Sequence, residues 1–234
     1  MVDARTATVI IPALDEDQSI GDVVRAIRDP RVGEIVVVDN GSRDRTAAEA
    51  HAAGATVLVE QFRGYGSACR RGLAYVAAQP PYVVAFVDAD GADDPSHLGA
   101  ILDPIFEERA DLVIGSRVLG EAEPGSLSLP QRFGNRLAVF LIRYLYGVRY
   151  TDLGPFRAVR YDGLVRLRMT DRTYGWTVEM QVKAAKCGLR AHEVPVTYRR
   201  RIGRSKISGT VRGVVGAGTK ILWTIARERL TSHV

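Results

Sequence analysis

The chain has 234 residues, 46% hydrophobic and 25% charged, which is ordinary for a globular protein and long enough to bury a core without staples. Two cysteines, Cys69 and Cys187, exclude a disulfide framework and give no metal-ligand spacing, so a reducing compartment is the simplest reading. The net charge of +5 hides an asymmetry: residues 1–116 carry 10 Lys+Arg against 19 Asp+Glu, and residues 117–234 carry 22 against 8.

The N-terminus lacks a basic region followed by a long apolar run, so no signal peptide is expected. Ala7 to Ile11 is an apolar β-branched run ended by Pro12 and reads as the first strand. A helix follows, with Ser19 as N-cap and Ile20, Val23, Val24 and Ile27 on one face. Glu34 to Val38 is the second strand, closed by the turn Asp39-Asn40-Gly41-Ser42. An alanine-rich helix, Thr46 to Ala53, stops at Gly54, and Thr56 to Val59 is the third strand. Gly64-Tyr65-Gly66 opens a helix over Ser67 to Ala78, which Pro80-Pro81 breaks. Tyr82 to Val87 reads as a buried central strand, Ser96 to Phe106 as a helix and Leu112 to Ile114 as another strand. This alternation calls for right-handed βαβ crossovers and a mostly parallel sheet. Pro12 stands where a dinucleotide fold would need its first glycine, so that fold is disfavoured.

Beyond residue 116 the pattern changes. Glu121 to Pro130 reads as a loop, and Phe133 to Tyr146 as a helix with core packing as the default and a membrane surface as the other option. Tyr150 to Val159 is a loop running into a strand, Trp176 to Cys187 a helix stopped by Gly188, and Ala191 to Tyr198 a strand. Arg199 to Gly209 is a basic loop and Val211 to Arg229 an amphipathic helix. No stretch reaches about 18 uninterrupted apolar residues, so no spanning helix is expected. Aromatic residues are not interleaved with the basic cluster, which disfavours nucleic acid.

The chemistry centres on Tyr82 to Pro95, YVVAFVDADGADDP. Ligands of open α/β sheets bind outside the carboxyl ends of the strands, and alternate residues of an extended segment point the same way. Asp88 and Asp90 should therefore face one crevice. Two close carboxylates are costly without a cation, and hard oxygen donors suit Mg²⁺ or Mn²⁺. The bland reading is a polar strand exit.

Taken together, VIIPALDED, VVVDNGSRDRT, RGYGSACRRGL, VDADGADDP, GSR, TDLGPFR and RRRIGRSK resemble the family 2 glycosyltransferases, in the family's order and over about 200 residues. By pattern the chain is most similar to polyprenyl- and dolichyl-phosphate mannose or glucose synthases. The resemblance implies one GT-A domain over 1–234, with a Rossmann-like, mostly parallel sheet flanked by helices. Residues 1–116 would form the nucleotide-sugar and metal half, and 117–234 the acceptor half with its basic loop and C-terminal helix. It places Pro12, Leu14, Glu16, Asp39 and Asn40 around the nucleotide, Gly64 and Gly66 beside it, and Asp88, Ala89 and Asp90 at ribose and metal. The third metal ligand is open, with Asp93 one option. Arg117 would orient sugar or diphosphate, and Arg201, Ser205 and Lys206 would close over phosphate. Gln131, Arg132, Asn135, Trp176 and Arg200 would meet the acceptor, and Asp152 or Glu179 would be the acid.

Each of these has a structural competitor. Asp39-Ser42 suffices as an Asx turn, Gly64-Tyr65-Gly66 as a tight turn, Arg157 as a partner for Asp152, and Trp176 as core. The resemblance implies inverting, metal-dependent transfer of a hexose from UDP-glucose or GDP-mannose to a polyprenyl phosphate or related lipid. A hydroxyl acceptor would need a general base, whereas an ionised phosphate would not. A soluble hydroxyl acceptor is the alternative. A sugar-phosphate nucleotidylyltransferase is weaker, because PALDED is acidic where that class has a basic, glycine-rich loop. A cytoplasmic placement, with peripheral contact at the inner membrane face, and a homo-oligomer are further expectations.

Overall fold

The computed structural model describes residues 5–203 and 211–231. Its elements in order are β1 (Ala7–Ala13), α1 (Ile20–Ala26), β2 (Val32–Asp39), α2 (Thr46–Ala52), β3 (Thr56–Val59), α3 (Tyr65–Val76) and β4 (Val83–Phe86). A 3-10 turn, Pro95–His97, leads into α4 (Leu98–Phe106), followed by β5 (Leu112–Ser116), α5 (Leu129–Tyr146), β6 (Arg157–Arg160) and α6 (Tyr161–Leu167). Last come α7 (Trp176–Lys186), β7 (Ala191–Pro195) and α8 (Val211–Leu230).

Seven strands form one sheet in the order β3-β2-β1-β4-β6-β5-β7. All pairings are parallel except those of β6, which runs antiparallel to β4 and β5. The strands are near-continuous apolar runs because both faces are covered. On one face Val9, Ile11 and Ala85 pack with Ile20 of α1 and Ile101 of α4. On the other, Ile10, Val84 and Phe86 pack with Cys69 of α3, Ile142 of α5 and Trp176 of α7.

This topology positions the site. β1, β2, β4, β5 and β7 all finish at one edge of the sheet. β6 runs the other way, with Arg157 registered on both Phe86 and Ile114, so the segment that feeds it, 151–156, also lies at that edge. Leu14–Glu16, Asp39, Asp88, Arg117, Asp152 and the chain after Pro195 therefore converge.

Several expectations change. Helix α5 begins four residues early, because Ser128 and Gln131 form a reciprocal capping box and Pro130 fits the first turn. The short helix α6 was not read from the sequence. β7 stops at Pro195, three residues short of the expected strand. Ser19 precedes α1 but makes no side-chain cap; its hydroxyl donates to the carbonyls of Glu16 and Ala89. Both cysteines are free.

Candidate active site

At the converging strand ends lies a cleft of about 740 Å³. Its acidic lining residues are Asp88, Asp90 and Asp152, and its basic ones are Arg117, Arg132, Arg136 and Arg201. The expected alternation holds, since Asp88 and Asp90 reach the same space. Asp88 Oδ1 is buried with no hydrogen-bond partner. Burial, then the neighbouring Asp90 carboxylate, pushes the Asp88 carboxyl up to about 7. Asp90 Oδ1 accepts from the Ala92 amide at 2.9 Å, and Asp90 Oδ2 lies 3.3 Å from the Arg201 guanidinium.

An orphaned carboxylate oxygen beside a second carboxylate fits a hard divalent cation. Among the described residues, no cluster of three His, Cys, Asp or Glu surrounds that point. The rest of a coordination shell would fall to ligand oxygens and water, as Mg²⁺ prefers. Asp93 does not complete it. Both its oxygens are buried without partners, its backbone bridges to Tyr198, and it is not among the residues that line the cleft. Burial, then repulsion from Asp88 and Asp90, holds it well above the usual carboxylate range.

The segment after β7 folds back over the acidic loop. The Arg199 amide donates to the Ala92 carbonyl and the Ile202 amide to the Asp90 carbonyl, at 2.8 and 2.9 Å. Arg201 reaches Glu16 Oε1 at 2.9 Å as well as Asp90. Arg200 turns outward: its amide donates to Glu123 and its guanidinium to the Pro124 carbonyl, so the acceptor role expected of it is not supported. Ser205 and Lys206 lie outside the described residues.

Asp152 is 1% exposed and accepts three hydrogen bonds from Arg117: from the amide at 2.9 Å, Nε at 2.7 Å and an Nη at 2.8 Å. Burial alone would raise the Asp152 carboxyl, but these bonds and the adjacent charge hold it below the usual range. The sequence suggested Arg157 as its partner. Instead Arg157 is fully buried and donates to the carbonyls of Gly154 and Thr177. Arg117 also lies over the Tyr198 ring, 5.0 Å from its centroid. Glu193 on β7 takes the amides of Thr151 and Asp152, fixing the turn that presents Asp152. Asn135 does the same from α5, donating to the Thr151 carbonyl and accepting from the Leu153 amide. Glu193, Tyr198, Arg136 and Thr151 were not picked out from the sequence. Only Tyr198 carried a signal, as an aromatic ending a strand beside the arginine run.

Four further expectations are corrected. Glu179 is 0% exposed and outside the cleft; it accepts from Thr170 and Asp171 and pairs with Lys183 at 2.8 Å, so it is no base there. Trp176 is core, edge-on to Phe86 with centroids 6.1 Å apart, rather than an acceptor platform. Gly64 and Gly66 make room for protein: a Cβ on either would strike the carbonyl of Arg172 or Asp171. The first amides of α3 donate to the Thr173 and Arg172 carbonyls, so that helix start is not open to phosphate. Asn40 donates to the carbonyls of Glu60 and Phe62 and accepts from the amide of Gly64, so both its N–H donors are spent within the chain rather than on a base edge.

Of the remaining residues, Gln131 and Arg132 line the cleft. Pro12 and Asp39 end buried in β1 and β2. Leu14 is half-buried between them and Glu16, and the Ala89 carbonyl is held by Ser19.

The model of the family described as Glycosyl transferase family 2 matches residues 8–167. An uncharacterized glycosyltransferase of Mycobacterium tuberculosis is 37% identical over 89% of this chain and 92% of its own. The dolichyl-phosphate hexose transferase of Haloferax volcanii is 32% identical over 95% of both chains. Among solved structures, glucosyl-3-phosphoglycerate synthase of Mycobacterium tuberculosis, in complex with Mn²⁺, UDP-glucose and phosphoglyceric acid, superposes with a TM-score of 0.77. It is 23% identical over 96% of this chain and 80% of its own, a likeness of GT-A fold.

Proposed function

This chain belongs to glycosyl transferase family 2 and is a hexosyltransferase, and from that premise we propose that it moves a hexose, with inversion, from UDP-glucose or GDP-mannose to the phosphate of a polyprenyl phosphate or related lipid. In this reading residues 1–116 bind the nucleotide-sugar and 117–234 the acceptor. Glu16, Asp39 and the β1 exit take the nucleotide. Asp88 and Asp90 hold Mg²⁺ or Mn²⁺, which when bound neutralises charge on the leaving diphosphate. Arg201, already seated between Glu16 and Asp90, turns to the same diphosphate, and Ser205 and Lys206 belong to that closing segment.

One observation carries the choice of acceptor. Of the three acids lining the cleft, two are assigned to the cation and the third, Asp152, is locked to Arg117 and held ionised. That leaves no carboxylate of the described cleft lining free to take a proton from a hydroxyl. A phosphate acceptor is already ionised near neutral pH and needs no base. Arg132 and Arg136, on the acceptor wall, supply cations to receive it. Asp152 then positions Arg117, and through it the sugar or diphosphate. The dolichyl-phosphate relative supports the same class.

The test is release of UDP or GDP from a panel of nucleotide-sugars, with and without Mn²⁺, against a polyprenyl phosphate, a soluble phosphorylated acceptor and a soluble hydroxyl acceptor. Metal-dependent turnover is expected with the lipid phosphate. Turnover confined to the hydroxyl acceptor would overturn the reading.

A further inference from the structure

Helix α5 is apolar on two sides. Ala138 and Ile142 are buried against the sheet, as a surface helix requires. The opposite side should then be polar, yet Leu129, Phe133, Phe140 and Tyr144 are 80%, 70%, 62% and 78% exposed. Between them on the same face stand Arg132, Arg136 and Arg143, also exposed. The spacing 129, 132/133, 136, 140, 143/144 is one continuous helical stripe about 24 Å long, on a helix of 18 residues. None of the three arginines has a carboxylate partner among the described residues, and α5 contains no Asp or Glu. The neighbouring α8 continues the pattern, with Trp223 60% and Leu230 82% exposed, and its one acidic residue, Glu228, is buried.

We propose that this α5 face, with the exposed side of α8, docks on an anionic lipid surface. Aromatic and leucine side chains would enter the headgroup boundary while the arginines pair with lipid phosphates, the arrangement of an interfacial helix. Charge decides against a second copy of this chain as the occupant. A two-fold contact through this face would set three unpaired arginines against three more, with no carboxylate on either side. No helix among the described residues is long and apolar enough to cross a membrane. The placement also deepens the proposed function and rests on it. Arg132 and Arg136 belong both to the exposed stripe and to the cleft wall, so a docked bilayer would bring lipid phosphate to the cleft mouth.

The test uses the full chain and the triple variant F140Q/R143Q/Y144Q, three exposed positions outside the cleft lining. Flotation is measured with vesicles of phosphatidylcholine alone and with added phosphatidylglycerol, at low and high salt. The wild type is expected to float with the anionic vesicles at low salt only. The variant should partition at least about tenfold more weakly, with unchanged thermal stability. Absence of wild-type binding at low salt, or equal binding by the variant, would overturn the proposal. So would a dimer in light scattering that the variant converts to monomer, since the face would then be a self-contact. Transfer to a detergent-solubilised acceptor phosphate should be equal in both proteins. Loss of that transfer in both, with flotation intact, would refute the acceptor assignment and leave the docking face standing.

Discussion

At the scale of single residues, the cleft turns on which acid is free. TDLGPFR drew attention to Asp152 from the sequence, and the structure places it in the cleft. Its partner was not legible, because Arg117 is 35 positions away and only the antiparallel course of β6 brings the two together. A sequence neighbour, Arg157, looked the better partner and turned out to serve carbonyls. This pairing makes a prediction. Asp152→Asn keeps the shape but cannot match a guanidinium that donates to both oxygens, and breaking a buried pair costs about 3–5 kcal/mol. The variant should lose both stability and most of its kcat/KM. The sign of the pKa shift says how. A carboxyl held below its usual value of about 3.9 is ionised throughout the neutral range, and the stability it lends is lost only as pH falls through the lower folded value. The residual activity of Asp152→Asn should therefore keep the wild-type pH profile between about 6 and 9. Loss of a limb in that range would return Asp152 to the role of base.

Among the elements, the sheet was largely readable because buried parallel strands announce themselves as β-branched apolar runs. The details that failed were set by tertiary contacts. Gly64 and Gly66 read as ligand glycines because they open a helix after a strand, but what approaches them is the 171–173 turn. Glu179 read as a catalytic acid for its place at a helix start, but that same place lets it hold Thr170 and Asp171. These two elements form one support: α7 fixes the turn through Glu179, and the turn receives the first amides of α3. Gly66→Ala would force the turn away and should lower stability by about 1–3 kcal/mol, the usual cost of overpacking, or roughly 3–10 °C in Tm for a chain of this size. Glu179→Gln leaves Lys183 without its buried counter-charge and should destabilise by about 3–5 kcal/mol, the cost of breaking a buried pair. Neither should change the turnover of the folded fraction, measured well below the transition. A fall in kcat for Glu179→Gln at unchanged folded fraction would contradict its assignment to the support.

For the molecule as a whole, the charge asymmetry seen in composition becomes a geometry. The acidic first half supplies Glu16, Asp88 and Asp90, the basic second half supplies Arg117, Arg132, Arg136 and Arg201, and the two meet across one cleft. Arg201 is the sole described cation seen to bridge to both Glu16 and Asp90, and it occupies the position where, in the proposed function, a divalent ion and a diphosphate are needed. Cation and arginine cannot both have Asp90 at full strength. The diphosphate resolves the conflict, because it offers Arg201 an oxygen partner and so releases Asp90. Metal and nucleotide should then bind with positive coupling, each raising the other's affinity by the same factor. Thermal shifts with Mn²⁺ and UDP together should exceed the sum of the shifts with either alone. Arg201→Gln separates this from simple charge addition. Freed of a partly exposed ion pair worth about 1 kcal/mol, Asp90 should bind Mn²⁺ about fivefold more tightly in the absence of nucleotide, as read by electron paramagnetic resonance titration. The coupling to UDP should shrink in the same variant. Equal Mn²⁺ affinity in wild type and Arg201→Gln would mean that the arginine does not guard the carboxylate, and the exchange would have to be abandoned.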